Sequence, residues 1–245
     1  MADDPFTVTT THVGTTTLKY NVTAKDASVK YCTFATGYDY YQRWQLEEGT
    51  NGDVIKHFIS MWSTFASWYG ENWQTMMKYD RREGTYEGDG NHLMWDARQV
   101  VITFGMDDDG NLVTPIQVDS IHTNAPTPVD MDIPLTVLSN EWGDQQIKAA
   151  PTTNTPYFIT MQPAAYVDLY KTDAALLRAL CYEADNINPT DLARTRDEDL
   201  REGLWEFRVR KDVDTDYYII AVGLDEGAPA TRAFKTKITV PGGSF

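Results

Sequence analysis

The chain is poor in basic residues and has no long apolar run. Its 245 residues include 21 Lys and Arg against 36 Asp and Glu, which gives a formal net charge of −15. An electrostatic field of that sign opposes binding to nucleic acid or to an anionic membrane surface, so neither is an expected partner. No stretch approaches the roughly 18 apolar residues that a transmembrane helix requires.

Cysteine and histidine are also scarce. Cys32 and Cys181 both lie in apolar runs, and we interpret them as two buried thiols, because a disulfide between distant elements demands a specific geometry. The four histidines are never three or four residues apart, so no metal site is predicted. Nucleophile-elbow, phosphate-loop and dinucleotide motifs are missing, so we predict no catalytic residue and no cofactor.

One stretch of the chain occurs twice. Residues 99–110 read QVVITFGMDDDG, and residues 217–227 read YYIIAVGLDEG. Each is a β-branched and aromatic run followed by glycine and an acidic turn, a pattern typical of a strand that enters a hairpin. Tyr157 follows Tyr31 by 126 residues and Gly223 follows Gly105 by 118, spacings that suit tandem domains. We therefore expect Gly105 to superpose on Gly223, and Tyr31 to lie near Tyr157.

The predicted fold is mainly β, with two tandem antiparallel β-sandwich domains that each carry a helical insertion. Alternating apolar residues and turn signals predict about seven short strands per unit, with helices after the third strand. The first domain is predicted at 1–122, with an insertion rich in Trp and Tyr, and the second at 134–245. The stretch 123–133 is predicted as a linker because it is rich in proline and lacks periodicity.

Several local patterns within the first unit give sharper expectations. His92–Trp95 and Leu112–Ile121 are predicted as strands, and the glycines at 84, 88 and 90 as a loop. A helix is predicted to begin after Asp53 as its N-cap and to end at Gly70. Its buried face is predicted from residues spaced by four and three, namely Val54, Phe58, Met61, Phe65 and Trp68.

The run Asp214–Asp225 carries a family resemblance. It resembles the D-T-x-Y-x-x-x-x-x-G-x-D strand of fibronectin type III-like domains, in particular those of tandem-domain surface lipoproteins from gut anaerobes, an uncharacterised lipoprotein family. The first unit departs from the pattern at Asp96-Ala97-Arg98-Gln99. The resemblance implies immunoglobulin- or fibronectin III-like sandwiches, export to the cell surface, outer membrane or periplasm, and a lipid anchor upstream of residue 1. It implies no catalytic residues.

The acidic turn Asp107-Asp108-Asp109-Gly110 invites comparison with a calcium loop. It lacks the alternating Asp spacing of an EF-hand, and no bidentate Glu follows at the required distance. We therefore predict a solvated hairpin turn without calcium.

Aromatic residues are concentrated between residues 38 and 79. Trp62, Tyr69 and Trp73 lie off the predicted buried face, and together with Tyr41 they are the predicted ligand-binding residues. Exposed rings suit sugars or protein partners, so the predicted function is a non-catalytic binding or scaffold protein that recognises a glycan or another surface protein. Two alternatives stay open: the rings are additional core or domain-interface packing, or the protein is a glycan-acting hydrolase whose carboxylate pair cannot be identified from the sequence.

Overall fold

The computed structural model describes residues 4–183, 200–210 and 214–242. The chain divides into two compact units, residues 1–124 and 125–245. Cys32 and Cys181 are both buried, as predicted. Among the described residues, no helix has both the length and the apolar character that crossing a membrane requires.

The first unit contains two antiparallel three-stranded sheets. One is formed, in this order, by β1 (Phe6–Val13), β2 (Leu18–Ala24) and β4 (Thr85–Gly90). The other is formed by β3 (Tyr31–Gly37), β5 (Arg98–Gly105) and β6 (Gln117–His122), with β5 in the centre. The first, second and fourth strands thus share one sheet and the remaining three share the other, which is the arrangement of an immunoglobulin- or fibronectin III-like sandwich.

Three helices are inserted between β3 and β4: α1 (Tyr38–Leu46), α2 (Val54–Tyr69) and α3 (Trp73–Asp80). The predicted N-cap of α2 is confirmed, since the Asp53 carboxylate accepts a hydrogen bond from the Ile55 amide at 3.0 Å. The predicted end is also confirmed: Gly70 has a φ of +68° and its N–H donates to the Ala66 carbonyl. Asn72 caps α3 in the same manner as Asp53 caps α2.

The central strand β5 is buried on both faces. Val101 belongs to the core between the two sheets, together with Tyr31. Ile102, its neighbour on the opposite face, belongs to a second core shared with Phe58 and Trp62 of α2. The first unit is therefore three layers deep, and the continuous apolar run of β5 is explained by partners on both sides.

Two strand predictions in this unit need correction. The strand predicted at His92–Trp95 is wrong, and β4 instead runs through the glycine-rich stretch predicted as a loop. Gly88 pairs with Tyr20 of β2, and a Cβ at position 88 would lie 2.5 Å from the tyrosine ring. Glycine is therefore used inside a strand because an aromatic ring covers it. The strand predicted at Leu112–Ile121 begins only at Gln117, because the preceding residues belong to the turn that follows β5.

The second unit repeats the plan. One sheet contains β7 (Leu135–Glu141), β8 (Asp144–Ala149) and β11 (Trp205–Val209), with β8 in the centre. The other is built on β12 (Thr215–Asp225), with partners β9 (Tyr157–Pro163), β13 (Ala228–Pro229) and β14 (Phe234–Val240), and β10 (Leu200–Arg201) extends it beyond β9. The helices are α4 (Ala164–Val167) and α5 (Asp173–Arg178), and α5 continues as a π-helical turn at Ala179–Glu183.

Residues of the predicted linker 123–133 contribute to the second unit. Met131 and Ile133 are buried in the core between its two sheets. The Val129 amide donates to the Ala230 carbonyl at 3.0 Å. The stretch from Val129 onward therefore packs as part of the second sandwich.

The same structural corner occurs once in each unit. Tyr31 pairs with Gly105 across β3 and β5, and Tyr157 pairs with Gly223 across β9 and β12. Each glycine amide donates to a threonine hydroxyl, at 2.8 Å in the first unit and 2.9 Å in the second. The expected correspondence of the two repeats is confirmed at this corner, and each unit is a β-sandwich with a helical insertion.

Candidate functional site

Helix α2 carries the predicted residue Trp62, and the structure buries it. The side chain is 1% exposed and lies in the core between the helices and the sheet. Its indole N–H donates to the Asp80 carboxylate at 2.7 Å, which satisfies the one polar group of the ring. The prediction of an exposed Trp62 is wrong, and no ligand can reach this ring.

The buried face of α2 differs from the predicted one after Phe58. The fully buried residues of the helix are Val54, Ile55, Phe58, Trp62 and Ala66. Phe65 and Trp68, predicted as buried, are 36% and 61% exposed. The predicted face is therefore wrong beyond Phe58, although the series 58, 62, 66 is also apolar and helical in spacing and is a signal present in the sequence.

Trp73 and Tyr41 are half-buried and support the insertion from within. The Trp73 ring stacks on Trp62, with centroids 6.2 Å apart and planes at 11°. It also covers Gly110, where φ is +90° and a Cβ would lie 2.1 Å from the ring. Tyr41 packs near Tyr38, and its hydroxyl accepts a hydrogen bond from Gln45 at 3.2 Å. Desolvation by burial raises the pKa of the Tyr41 hydroxyl.

Tyr69 is the member of the predicted set that is strongly exposed, at 73%. It lies four residues after Phe65, a spacing that makes the two side chains neighbours on the helix surface. Phe65 and Trp68 contact each other edge to face, with centroids 5.3 Å apart and planes at 79°. We call Phe65, Trp68 and Tyr69 the aromatic patch.

The helix segment that carries the aromatic patch has no charged residue. Residues 58–70 contain no Asp, Glu, Lys, Arg or His, in a chain with 23% charged residues. The Ser63, Thr64 and Ser67 hydroxyls donate to helix carbonyls at 2.7, 3.0 and 2.7 Å, respectively. Their oxygen lone pairs remain able to accept hydrogen bonds from outside.

The first unit also has a cleft of about 490 Å³ beside the acidic turn, lined by Ser28, Val29, Lys30, Arg81, Met106, Asp107, Asp108, Asp109 and Val113. Asp107 accepts hydrogen bonds from the Asn111 side chain and amide, and these hold its pKa below the usual value. The hydrogen bond and charge of Arg81 lower the pKa of Asp108. Both carboxylates are thus held ionised, whereas a glycosidase acid needs a raised pKa.

The stretch Asp107–Gly110 forms a turn, as predicted. Asp107 serves as an internal hydrogen-bond acceptor, since its carboxylate also binds the Asp109 amide at 3.0 Å. Within the described ranges, no group of three or more His, Cys, Asp or Glu side chains is arranged to hold a metal ion.

His57 has a structural role in the insertion. Its Nδ1 lies 2.7 Å from the Glu47 carboxylate, and its ring stacks on Trp44 with centroids 4.3 Å apart. Glu47 and Trp44 flank the end of α1, so His57 connects α1 to α2.

No known family model matches the chain, and no curated protein matches it. Among solved structures, it is similar to a two-domain fibronectin type III segment of chicken tenascin, with 8% identity, a TM-score of 0.29, and coverage of 97% of this chain and 99% of that one. It is similar to the FN1–FN3 domains of chicken CNTN1, with 10% identity, a TM-score of 0.29, and coverage of 95% and 64%. A structure of the receptor tyrosine kinase Torso, described as the basis of its neurohormone perception, shows 10% identity, a TM-score of 0.26, and coverage of 99% and 76%. The fold assignment rests on the strand order of each unit.

Proposed function

We propose that the protein is a non-catalytic binding protein that contacts its ligand through the aromatic patch. The observation that supports this most directly is the exposure of Trp68 and Tyr69, at 61% and 73%, beside the partly exposed Phe65. Large aromatic side chains left in water lose the free energy that burial would supply, and clusters of them mark interaction sites. Trp and Tyr are also the residues that most often dominate binding energy at interfaces.

The aromatic patch is built on a rigid support. The opposite face of α2 is anchored in the second core through Phe58 and Trp62. Gly70 ends the helix, and Asn72 caps α3 immediately afterwards. Rings on an anchored helix lose little conformational entropy when a ligand binds, so this location favours recognition.

The proposed site of action is the cell surface, with the protein exported and held by a lipid anchor upstream of residue 1. The support for this part is the resemblance of Asp214–Asp225 to domains of surface lipoproteins. Fractionation of native cells and protease treatment of intact cells test it. Recovery in the membrane fraction and cleavage by external protease are expected, and recovery in the cytosol would contradict the proposal.

The binding role is tested by removing the aromatic patch. The variant with Phe65→Ala, Trp68→Ala and Tyr69→Ala is compared with wild type in a binding screen that covers glycans and surface proteins. We expect at least about a tenfold loss of affinity, or ~1.4 kcal/mol, since several exposed rings are removed at once. The melting temperature should stay nearly unchanged, because these side chains lie outside the core.

Tyr79→Ala is the matched control for this variant. Tyr79 is 72% exposed on α3 and belongs to the same unit, but it is not part of the aromatic patch. Its removal should leave both binding and melting unchanged. If the triple variant binds every ligand found in the screen as tightly as wild type, the aromatic patch is not the contact surface.

A further inference from the structure

The aromatic patch combines exposed rings with hydroxyl groups and excludes charge. From this combination we infer that its ligand is a neutral glycan. The inference rests on the proposed binding function and adds the chemical class of the ligand. Three properties of α2 carry it: its local charge, its exposed area and its hydrogen-bonding groups.

The first property is the local charge. Residues 58–70 contain no ionisable acidic or basic side chain, while the chain as a whole carries −15. An anionic glycan or an anionic lipid would meet a repulsive field and find no local cation. A cationic ligand would find no carboxylate within residues 58–70 with which to form an ion pair. The surface therefore favours a ligand without charge.

The second property is the exposed area. A buried aromatic side chain covers 150–250 Å², so the exposed fractions of the three rings amount to on the order of 350 Å². A standard protein interface buries about 800 Å² on each partner. The aromatic patch is too small to hold a second copy of the chain or a folded protein by itself. It is large enough to receive a few sugar rings of a longer glycan.

The third property is the set of hydrogen-bonding groups. Thr64 lies one turn before Trp68, and Ser67 lies three residues after Thr64; both are exposed. Their hydroxyl hydrogens are used by helix carbonyls, so each oxygen is left as an acceptor. A pyranose has apolar C–H faces that pack on aromatic rings and hydroxyl groups that donate at its edge. The aromatic patch offers both counterparts.

Native gel electrophoresis of the full chain in gels that contain a soluble polysaccharide tests this inference. The neutral probes are galactomannan, xyloglucan and dextran, and the anionic probe is polygalacturonate. Phosphatidylcholine vesicles are used in a flotation assay, and sedimentation measures self-association. We expect retardation by at least one neutral polysaccharide, a loss of at least about tenfold in affinity for Trp68→Ala, and no change for Tyr79→Ala. High salt should leave the retardation intact, because no ion pair contributes.

The outcomes separate this inference from the proposed function. Binding that is restricted to polygalacturonate, vesicles, a protein or a second copy, and that is lost in Trp68→Ala, would overturn the neutral-glycan assignment and leave the binding role in place. If no probe and no ligand from the screen shows binding that is weakened in the triple variant, both are overturned.

Discussion

The two units have the same sandwich and different insertions. Both have a tyrosine of the third strand paired with a glycine of the central strand, and both close that corner with a threonine hydroxyl. In the first insertion, α2 is 16 residues long and exposes aromatic rings, whereas α4 and α5 are short. The shared corner belongs to the fold itself, while an insertion on a rigid sandwich is free to acquire a separate role.

The comparison predicts, first, that two tryptophans of one helix differ greatly in their effect on stability. Trp62→Ala should lower the free energy of unfolding of the first unit by about 3–5 kcal/mol, since it opens a cavity and leaves Asp80 without its indole partner. Trp68→Ala, the same chemical change six residues later, should cost less than about 0.5 kcal/mol. Urea unfolding followed by circular dichroism measures both. Equal losses would show that the assignment of faces on α2 is wrong.

A second prediction concerns the contact between the first insertion and the acidic turn. Gly110→Ala should destabilise the first unit by about 2–3 kcal/mol, because the new methyl would meet the Trp73 ring at a residue with φ of +90°. Gly52→Ala is the control, since its φ is +85° and nothing lies within 4 Å of the added Cβ. Its cost should be about 1 kcal/mol. Thermal melting compares the two, and similar shifts would argue against the packing of Trp73 on the turn.

A third prediction tests whether the shared corner contributes equally to both units. The Tyr31 hydroxyl has one hydrogen, which is shared between the Val22 and Gly84 carbonyls at 2.9 and 3.0 Å, and the Tyr157 hydroxyl donates to the Gly203 carbonyl at 3.1 Å. Tyr31→Phe and Tyr157→Phe should each cost about 1–2 kcal/mol, because each removes a donor from a carbonyl. Denaturant unfolding of each variant measures the loss. A loss in one unit alone would show that the two corners are not equivalent in energy.

The smallest expected effect is on acid stability. Asp108 and Asp216 have pKa values lowered from 3.8 by hydrogen bonds from Arg81 and Lys237, respectively. A lowered pKa in the folded state stabilises the protein above the unfolded value, and that contribution is lost as the pH falls through the folded value. Asp108→Asn and Asp216→Asn should therefore reduce the melting temperature near pH 7 and have less effect near pH 3. Asp109→Asn, in the same turn as Asp108, is the control. An equal pH dependence of the melting temperature in all three variants would contradict the stabilising role of the hydrogen bonds from Arg81 and Lys237.

Much of the fold could be predicted from local sequence because the determining signals are local. The apolar runs of β5 and β12, the cap Asp53 and the terminal Gly70 each act on their immediate neighbours. Such features depend on backbone geometry and burial, which sequence patterns report directly.

The candidate site could not be predicted in the same way, since it depends on distant partners. Trp62 and Phe65 are both aromatic and lie within one turn, and the choice between them is made by contacts with Phe34 of β3 and Asp80. The glycine-rich β4 likewise depends on Tyr20 from another part of the chain. Tyr69 lies outside the predicted buried stripe, and the structure exposes it.

The apolar run of β5 does not by itself determine how the strands align. In a strand buried on both faces, a slip of one residue exchanges one apolar set for another, so the pattern alone tolerates misalignment. Gly105 removes that freedom, because any side chain there would bring a Cβ within 2.8 Å of the Thr114 methyl. Gly223 meets Thr231 at the same separation in the second unit. The glycine that ends each run therefore fixes the pairing register of its strand, because only glycine fits at that position.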